Sequence, residues 1–307
     1  MEKHSLLNLS NCKICPHECG TNRYKSKGYC KVGHLPLVAS VFAHKGEEPV
    51  ISGENGICNV FFAHCNLQCV FCQNYQISKN STSNPGWMSN KHQIVDEIIK
   101  ILDNDINIVG FVSPSHQVVQ MIEIINEINK KGYNPTIVYN SNGYDKVETL
   151  KELENVVDVY LPDLKYYNNQ IAFRYSGIKN YFEVATMAIK EMYRQKGASI
   201  VLNDKNLIEF GLIIRHLVLP THADDSINLL KFLANNISNR LYISLMSQYY
   251  PPKDLLLPNE LKENLSTNEY KKVVKIIEDL GFRGWIQEAE SQSHYKPNFD
   301  NDIPFSE

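Results

Sequence analysis

The stretch Ile57-Cys58-Asn59-Val60-Phe61-Phe62-Ala63-His64-Cys65-Asn66-Leu67-Gln68-Cys69-Val70-Phe71-Cys72 decides how this chain is read. Its first six residues are apolar and rich in β-formers, and they predict a buried strand. Three cysteines follow at once, spaced Cys65-x3-Cys69-x2-Cys72. Soft thiolates converging from one short loop suit an iron-sulfur cluster, and three thiolates on a four-iron cluster leave one iron free to hold a substrate. Zinc is the competing reading. It needs a fourth ligand, for which His64 or Cys58 is at hand.

Outward from this loop, apolar β-rich runs alternate with amphipathic helices, the pattern of successive βα units on a parallel sheet. Strands are expected at 57–62, 106–112, 136–140, 156–161, 212–219 and 241–246. Ile94, Val95, Ile98, Ile99 and Leu102 recur at helical spacing, as do Val118, Val119, Ile122, Ile125 and Ile128, so each set marks a buried helix face. Further helices are expected near 145–154, 180–196, 225–236 and 267–280, with Asp225 and Ser266 or Thr267 as N-caps and Gly281 as a stop. A hairpin is expected to turn at Asn203-Asp204-Lys205. Such a series builds either an open doubly wound sheet or a curved partial barrel, and in both the site gathers at the carboxyl ends of the strands. Those ends carry the three cysteines, Ser113-Pro114-Ser115-His116, Asn140-Ser141-Asn142-Gly143, Asp163-Leu164-Lys165, Arg215-His216 and Ser247-Gln248-Tyr249.

All eight cysteines of the 307 residues lie within the first 72. A net charge of -3 gives no signature for nucleic acid or a membrane surface. Residues 1–7 lack an apolar core of signal-peptide length, and nowhere do about 18 apolar residues run together. A cytoplasmic protein is therefore expected, in which clustered cysteines bind metal rather than form disulfides. Cys12-x2-Cys15-x3-Cys19-x10-Cys30 supplies four thiolates, enough to close a zinc site or a second Fe-S cluster, with His17 as an alternative ligand. Cys58, inside the first strand, reads as a buried free thiol. Three segments are expected: a Cys-rich metal-binding segment at 1–50, the main domain at 51–290 and a polar tail at 291–307.

At the three-cysteine loop the chain resembles the radical S-adenosylmethionine (SAM) superfamily. With Cys12 to Gly20, Glu47-Glu48-Pro49, Phe71 to Ser78, Tyr160 to Tyr166, Arg215 to Pro220 and Leu245 to Tyr249, it is similar to the PflX-type branch related to pyruvate formate-lyase activating enzyme. The resemblance implies an α/β fold, a partial (β/α)6 TIM-like barrel, here carrying a small N-terminal cysteine-rich metal-binding segment. It implies a 4Fe-4S cluster on Cys65, Cys69 and Cys72, with SAM on the open iron. Reductive cleavage of SAM would give a 5'-deoxyadenosyl radical that takes hydrogen from a substrate. Phe71 would lie against the adenine, Asp163 and Lys165 would face SAM, Asn140 and Asn142 would bind ribose, and Arg215 and His216 match a pair in the fifth strand. The Gly-Gly-Glu stretch of many members is missing after the second strand, where only Gly110 remains and Ser113, Ser115 or backbone carbonyls are the candidate substitutes. Implied partners are an electron donor such as flavodoxin or ferredoxin, and a glycyl radical enzyme as protein substrate. Radical modification of a small molecule or another protein is the alternative, and a non-catalytic Fe-S or zinc binding protein is the competing class.

Overall fold

The computed structural model describes residues 7–288, 296–301 and 303–305. Strand β1 (Val38–His44) pairs antiparallel with β2 (Ile57–Phe62). From β2 the sheet continues in parallel through β3 (Ile108–Val112), β4 (Thr136–Ser141) and β5 (Val159–Pro162). A two-residue β6 (Val201–Leu202) forms a hairpin with the start of β7 (Ile208–Leu217), which pairs with β5. The parallel run then ends with β8 (Tyr242–Met246) and β9 (Arg283–Ile286).

The six expected strands are all present, and the hairpin turns where expected. Two more frame them, β1 and β9. The first is an edge strand in the segment read as metal-binding, and the second follows the last helix. Gly284 of β9 has φ +122°, and a Cβ there would come 2.0 Å from the Ile243 carbonyl oxygen. That close approach lets the short strand reach β8.

Helices α1 (Pro49–Ser52) and α2 (Tyr75–Ser78) are single turns. The longer ones are α3 (Lys91–Leu102), α4 (Val118–Lys130), α5 (Val147–Glu152), α6 (Asn169–Ser176), α7 (Tyr181–Lys196), α8 (Ala223–Asn236) and α9 (Thr267–Asp279). None among the described residues is long and apolar enough to cross a membrane. The Asn90 side chain caps α3 by accepting from the His92 and Gln93 amides, and Ser266 caps α9 through the Glu269 amide. His222, not Asp225, is the N-cap of α8. The Asp225 carboxylate instead accepts from the Tyr167 and Asn168 amides, tying the loop after β5 to α8. On α4 the buried face centres on Val118, Met121, Ile124, Ile125 and Ile128, with Val119 and Ile122 at its flank.

Strands β2, β3 and β5 are buried along their whole length and so present two buried faces. Cys58, Val60 and Phe62 of β2 pack with the helices, while Ile57 joins Ile51, Ile108, Val138, Val159, Leu161 and Ile213 in a separate interior cluster. That inner cluster closes the amino-terminal end of the interior. The opposite end holds a cavity of about 440 Å³ bordered by His44 of β1 and by Trp285 and Ile286 of β9. The two edges of an open sheet share one cavity only if the sheet curls, so the architecture is a partial barrel. The described part of the C-terminal segment does not trail away. Phe299 and Phe305 pack on Phe42 and Phe61 beside the cavity, and the Phe299 amide donates to the Gln76 side chain. The rest of the expected tail, residues 291–295, 302, 306 and 307, lies outside the described residues.

Candidate functional site

The cavity stands at the carboxyl ends of the strands. Cys65, Cys69 and Cys72 border it together with Phe71, Ser113, Asn140, Asn142, Asp163, Lys165 and Arg215. These residues, separated by up to 150 positions, were each singled out from sequence. His216 is the exception. Its neighbour Arg215 points inward, so His216 points outward, where its ring nitrogens meet the Leu164 carbonyl at 2.6 Å and Ser226 Oγ of α8 at 2.8 Å. Burial lowers its pKa and keeps it neutral, and it ties β7 to α8 rather than to the cavity.

The three sulfurs are held by a common device. Asn142 Nδ2 donates to Cys65 Sγ at 3.2 Å, Ser176 Oγ to Cys69 Sγ at 3.1 Å, and Ser78 Oγ to Cys72 Sγ at 3.2 Å. The Leu67 amide adds a second donor to Cys65, at 3.3 Å. Burial, with the charges of Cys69 and Cys72, pushes the Cys65 thiol up to about 12, so without a metal it is protonated at neutral pH. Among the described residues no three His, Cys, Asp or Glu side chains are drawn closely enough together to hold a single ion. A cluster makes a different demand, since each thiolate reaches its own iron. Three sulfurs that border one cavity, each with a side-chain donor able to stabilise negative charge, fit that demand. Neither fourth ligand at hand for the zinc alternative turns to the three sulfurs among the described residues. His64 spends its ring nitrogens on the Cys30 and Thr82 carbonyls, and Cys58 faces the helices, its thiol raised by burial alone.

Charged side chains form two groups on the cavity wall. Lys165 Nζ lies 2.5 Å from Asp163 Oδ2. Burial works against the lysine charge, but Asp163 and then Cys69 outweigh it and hold the pKa above its ordinary value. Arg215 forms the second group, with its Nε donating to Glu48 Oε1 at 2.8 Å, its Nη2 to Glu48 Oε2 at 2.7 Å, and a further contact to Glu47. Asn59 Nδ2 donates to Glu47 Oε1 at 2.7 Å. A Cβ on Gly110 would lie 2.4 Å from Asn59 Oδ1, so this glycine makes room for the amide. Glu47 is buried, which raises its pKa, yet Arg215 and His44 hold the carboxyl below its usual range.

Several of these contacts had no sequence signal. Ser176 ends a short helix, and Tyr181 starts α7, where its hydroxyl accepts from the Lys165 amide at 3.0 Å and donates to the Asn142 carbonyl at 2.9 Å. Glu47 and Glu48 carry no sequence sign of their partner Arg215, which lies 168 and 167 positions away. Asn142, a ribose candidate, commits its Nδ2 to Cys65 and Asn66, while its Oδ1 accepts the Tyr144 amide in an Asx turn. Phe71 meets the edges of Tyr166, Tyr175 and Tyr249 at ring-centroid distances of 6.2–6.4 Å. In the N-terminal segment, His17 gives its Nε2 to the Asn66 carbonyl at 2.7 Å and stacks on Tyr29, so it is engaged away from the cysteines.

This architecture has known counterparts. A protein of Methanocaldococcus jannaschii, described as uncharacterized, is 30% identical over 277 residues, covering 88% of this chain and 75% of its own. Among solved structures, a radical SAM methyltransferase from Sphaerobacter thermophilus superposes with a TM-score of 0.52 at 11% identity, over 81% of this chain and 69% of its own. Methylornithine synthase gives a TM-score of 0.51 at 16% identity, over 74% and 63%. At such identities these two attest the fold alone. The Radical SAM superfamily profile matches residues 59–233, more than half of the chain, from within β2 to within α8. The chain therefore belongs to the radical SAM superfamily of enzymes, whose shared cofactors are a 4Fe-4S cluster and SAM.

Proposed function

We propose that Cys65, Cys69 and Cys72 hold the 4Fe-4S cluster, that SAM occupies the cavity against the remaining iron, and that the enzyme abstracts a hydrogen atom from a substrate on the facing wall. The observation that carries this reading is the set of side-chain donors on the three cavity-facing sulfurs. Bound there, the cluster and SAM would supply one-electron reductive cleavage of the sulfonium to methionine and the 5'-deoxyadenosyl radical that takes the hydrogen atom. The protein's residues bind, orient and shield. Lys165, kept charged by Asp163, is the cation for the methionyl carboxylate, and Ser113 and Asn140 offer hydrogen bonds along the same rim. Phe71 closes the wall beside the cysteines, while Phe61, Trp285 and Phe305 line the cavity with apolar surface that excludes water and stray hydrogen donors.

The proposed hydrogen donor is a glycine of a glycyl radical enzyme, supported by the likeness of Tyr160 to Tyr166 and Arg215 to Pro220 to the activating enzymes. Flavodoxin or ferredoxin is the proposed reductant. Anaerobic reconstitution with iron and sulfide, then SAM and dithionite, should yield 5'-deoxyadenosine, and Cys69→Ala should abolish it. A cluster confirmed by EPR with no 5'-deoxyadenosine would sink the radical reading. A glycyl radical doublet in a partner enzyme tests the substrate separately.

A further inference from the structure

Away from the cavity, the least expected charge is Arg23. It is 3% exposed. Its Nη1 donates to the His116 carbonyl at 2.7 Å, its Nη2 to Cys30 Sγ at 3.5 Å, and its Nε has no partner. No carboxylate among the described residues lies within 4.0 Å of it. A guanidinium is charged at any physiological pH, and burying it without a counter-charge is costly, so a compensating negative charge is expected beside it. The group beside its Nη2 that can carry a negative charge is Cys30, whose sulfur stands at 3.5 Å. As a thiol it carries none.

The turns that carry these cysteines are closed by backbone hydrogen bonds, the Glu18 amide donating to the Cys15 carbonyl at 3.0 Å and the Lys31 amide to the Gly28 carbonyl at 3.0 Å. Cys12 closes the turn, its amide donating to Thr21 O at 3.0 Å and its carbonyl accepting from Gly20 at 2.9 Å. Gly28 leaves space for Cys19, whose sulfur would stand 2.7 Å from a Cβ at that position.

We propose that Cys12, Cys15, Cys19 and Cys30 hold a second, tetrathiolate metal centre, and that Arg23 is its buried counter-charge. Four thiolates on a zinc ion, or on an oxidised 4Fe-4S core, leave the same net charge of about two negative units. Arg23 offsets part of either. Gathering the four sulfurs is left to the metal, since binding and local folding are one event in such sites. The centre is also braced to the radical site. His64, just before Cys65, meets the Cys30 carbonyl at 3.1 Å, His17 meets the Asn66 carbonyl, and Asn80 donates to the Tyr29 carbonyl while accepting the Cys65 amide.

The test removes the first cluster and asks whether metal remains. Full-length protein carrying Cys65→Ala, Cys69→Ala and Cys72→Ala, purified anaerobically, should retain either about one zinc or iron and sulfide in equal amounts. Elemental analysis and EPR tell the two apart. Adding Cys12→Ser and Cys15→Ser should remove that metal. A triple variant with native far-UV circular dichroism and no stoichiometric metal would overturn the proposal, whatever the wild type does with SAM. Should the triple variant fail to fold, the reconstituted wild type decides. Metal beyond about four irons supports the second centre, and four irons without zinc refutes it. In a chelator competition Arg23→Met should weaken retention about 10–100-fold, with Arg23→Lys recovering part. Unchanged retention would remove Arg23 from the assignment.

Discussion

Replacing Arg215 by Met would leave Glu47 and Glu48 facing each other in the barrel interior without their shared cation. The three side chains are nearly closed to solvent, at 13%, 9% and 4% exposure for Arg215, Glu47 and Glu48. Surface screening therefore does little to soften the loss. Breaking a buried, hydrogen-bonded pair by removing one partner costs about 3–5 kcal/mol, against the 0–1 kcal/mol typical of an exposed pair. Asn59 still donates to Glu47, which places the expectation at roughly 3 kcal/mol, the lower end of that range. The sign with pH is fixed. Arg215 holds Glu47 below its usual range, so the stabilisation is present at neutral pH and fades as the carboxyl is protonated in acid. Urea unfolding of Arg215→Met against wild type at pH 7 measures the loss, and adding Glu47→Gln and Glu48→Gln should recover most of it. A loss under about 1 kcal/mol, or no recovery in the triple variant, would show that the network is not a closed charge group.

Two further outcomes follow from single contacts. Ser176→Ala removes the hydroxyl on Cys69 Sγ, with Tyr166 hydrogen-bonded behind it at 2.7 Å. A net hydrogen bond of about 0.5–1.5 kcal/mol that favours the more negative, reduced cluster corresponds to a potential lower by roughly 20–60 mV, and an EPR-monitored titration showing no shift would dismiss this role. His116 is pushed down to about 3, chiefly by burial and also by Arg23 and His64, whereas the unfolded chain takes up a proton near 6.5. The stability it confers is complete above pH 6.5 and should drain away between about 6.5 and 3, at up to about 1.4 kcal/mol per pH unit. Denaturation curves across that window should flatten in His116→Gln, and an unchanged slope would contradict the assignment.

What could be read from the sequence depended on whether a residue's task is local. Cys65-x3-Cys69-x2-Cys72 is legible because the ligands share one loop, and the strands are legible because both of their faces are apolar. Asp163 and Lys165 are two residues apart and therefore share a face. Strand parity also separates Arg215 from His216, but only after β7 is fixed in register with β8 and its inward face is known. The resemblance carried both residues to the site together, while the pleat sends one to the cavity and the other to Ser226. Partners that lie far apart in the chain left no trace of one another. Glu48 meets Arg215 across 167 positions, and Ser176 meets Cys69 across 107.

Arg23 shows the same limit from the other direction. In the sequence it is one of 31 basic residues, in a segment expected to be small and Cys-rich. Only its burial, with no carboxylate among the described residues beside it and a sulfur at 3.5 Å, makes it informative. The cysteine spacing already favours a metal there over reduced thiols, and the buried cation adds an independent reason. Neutral thiols leave its charge unanswered, whereas thiolates bound to a metal answer it, so the argument for the second centre passes from motif to electrostatics.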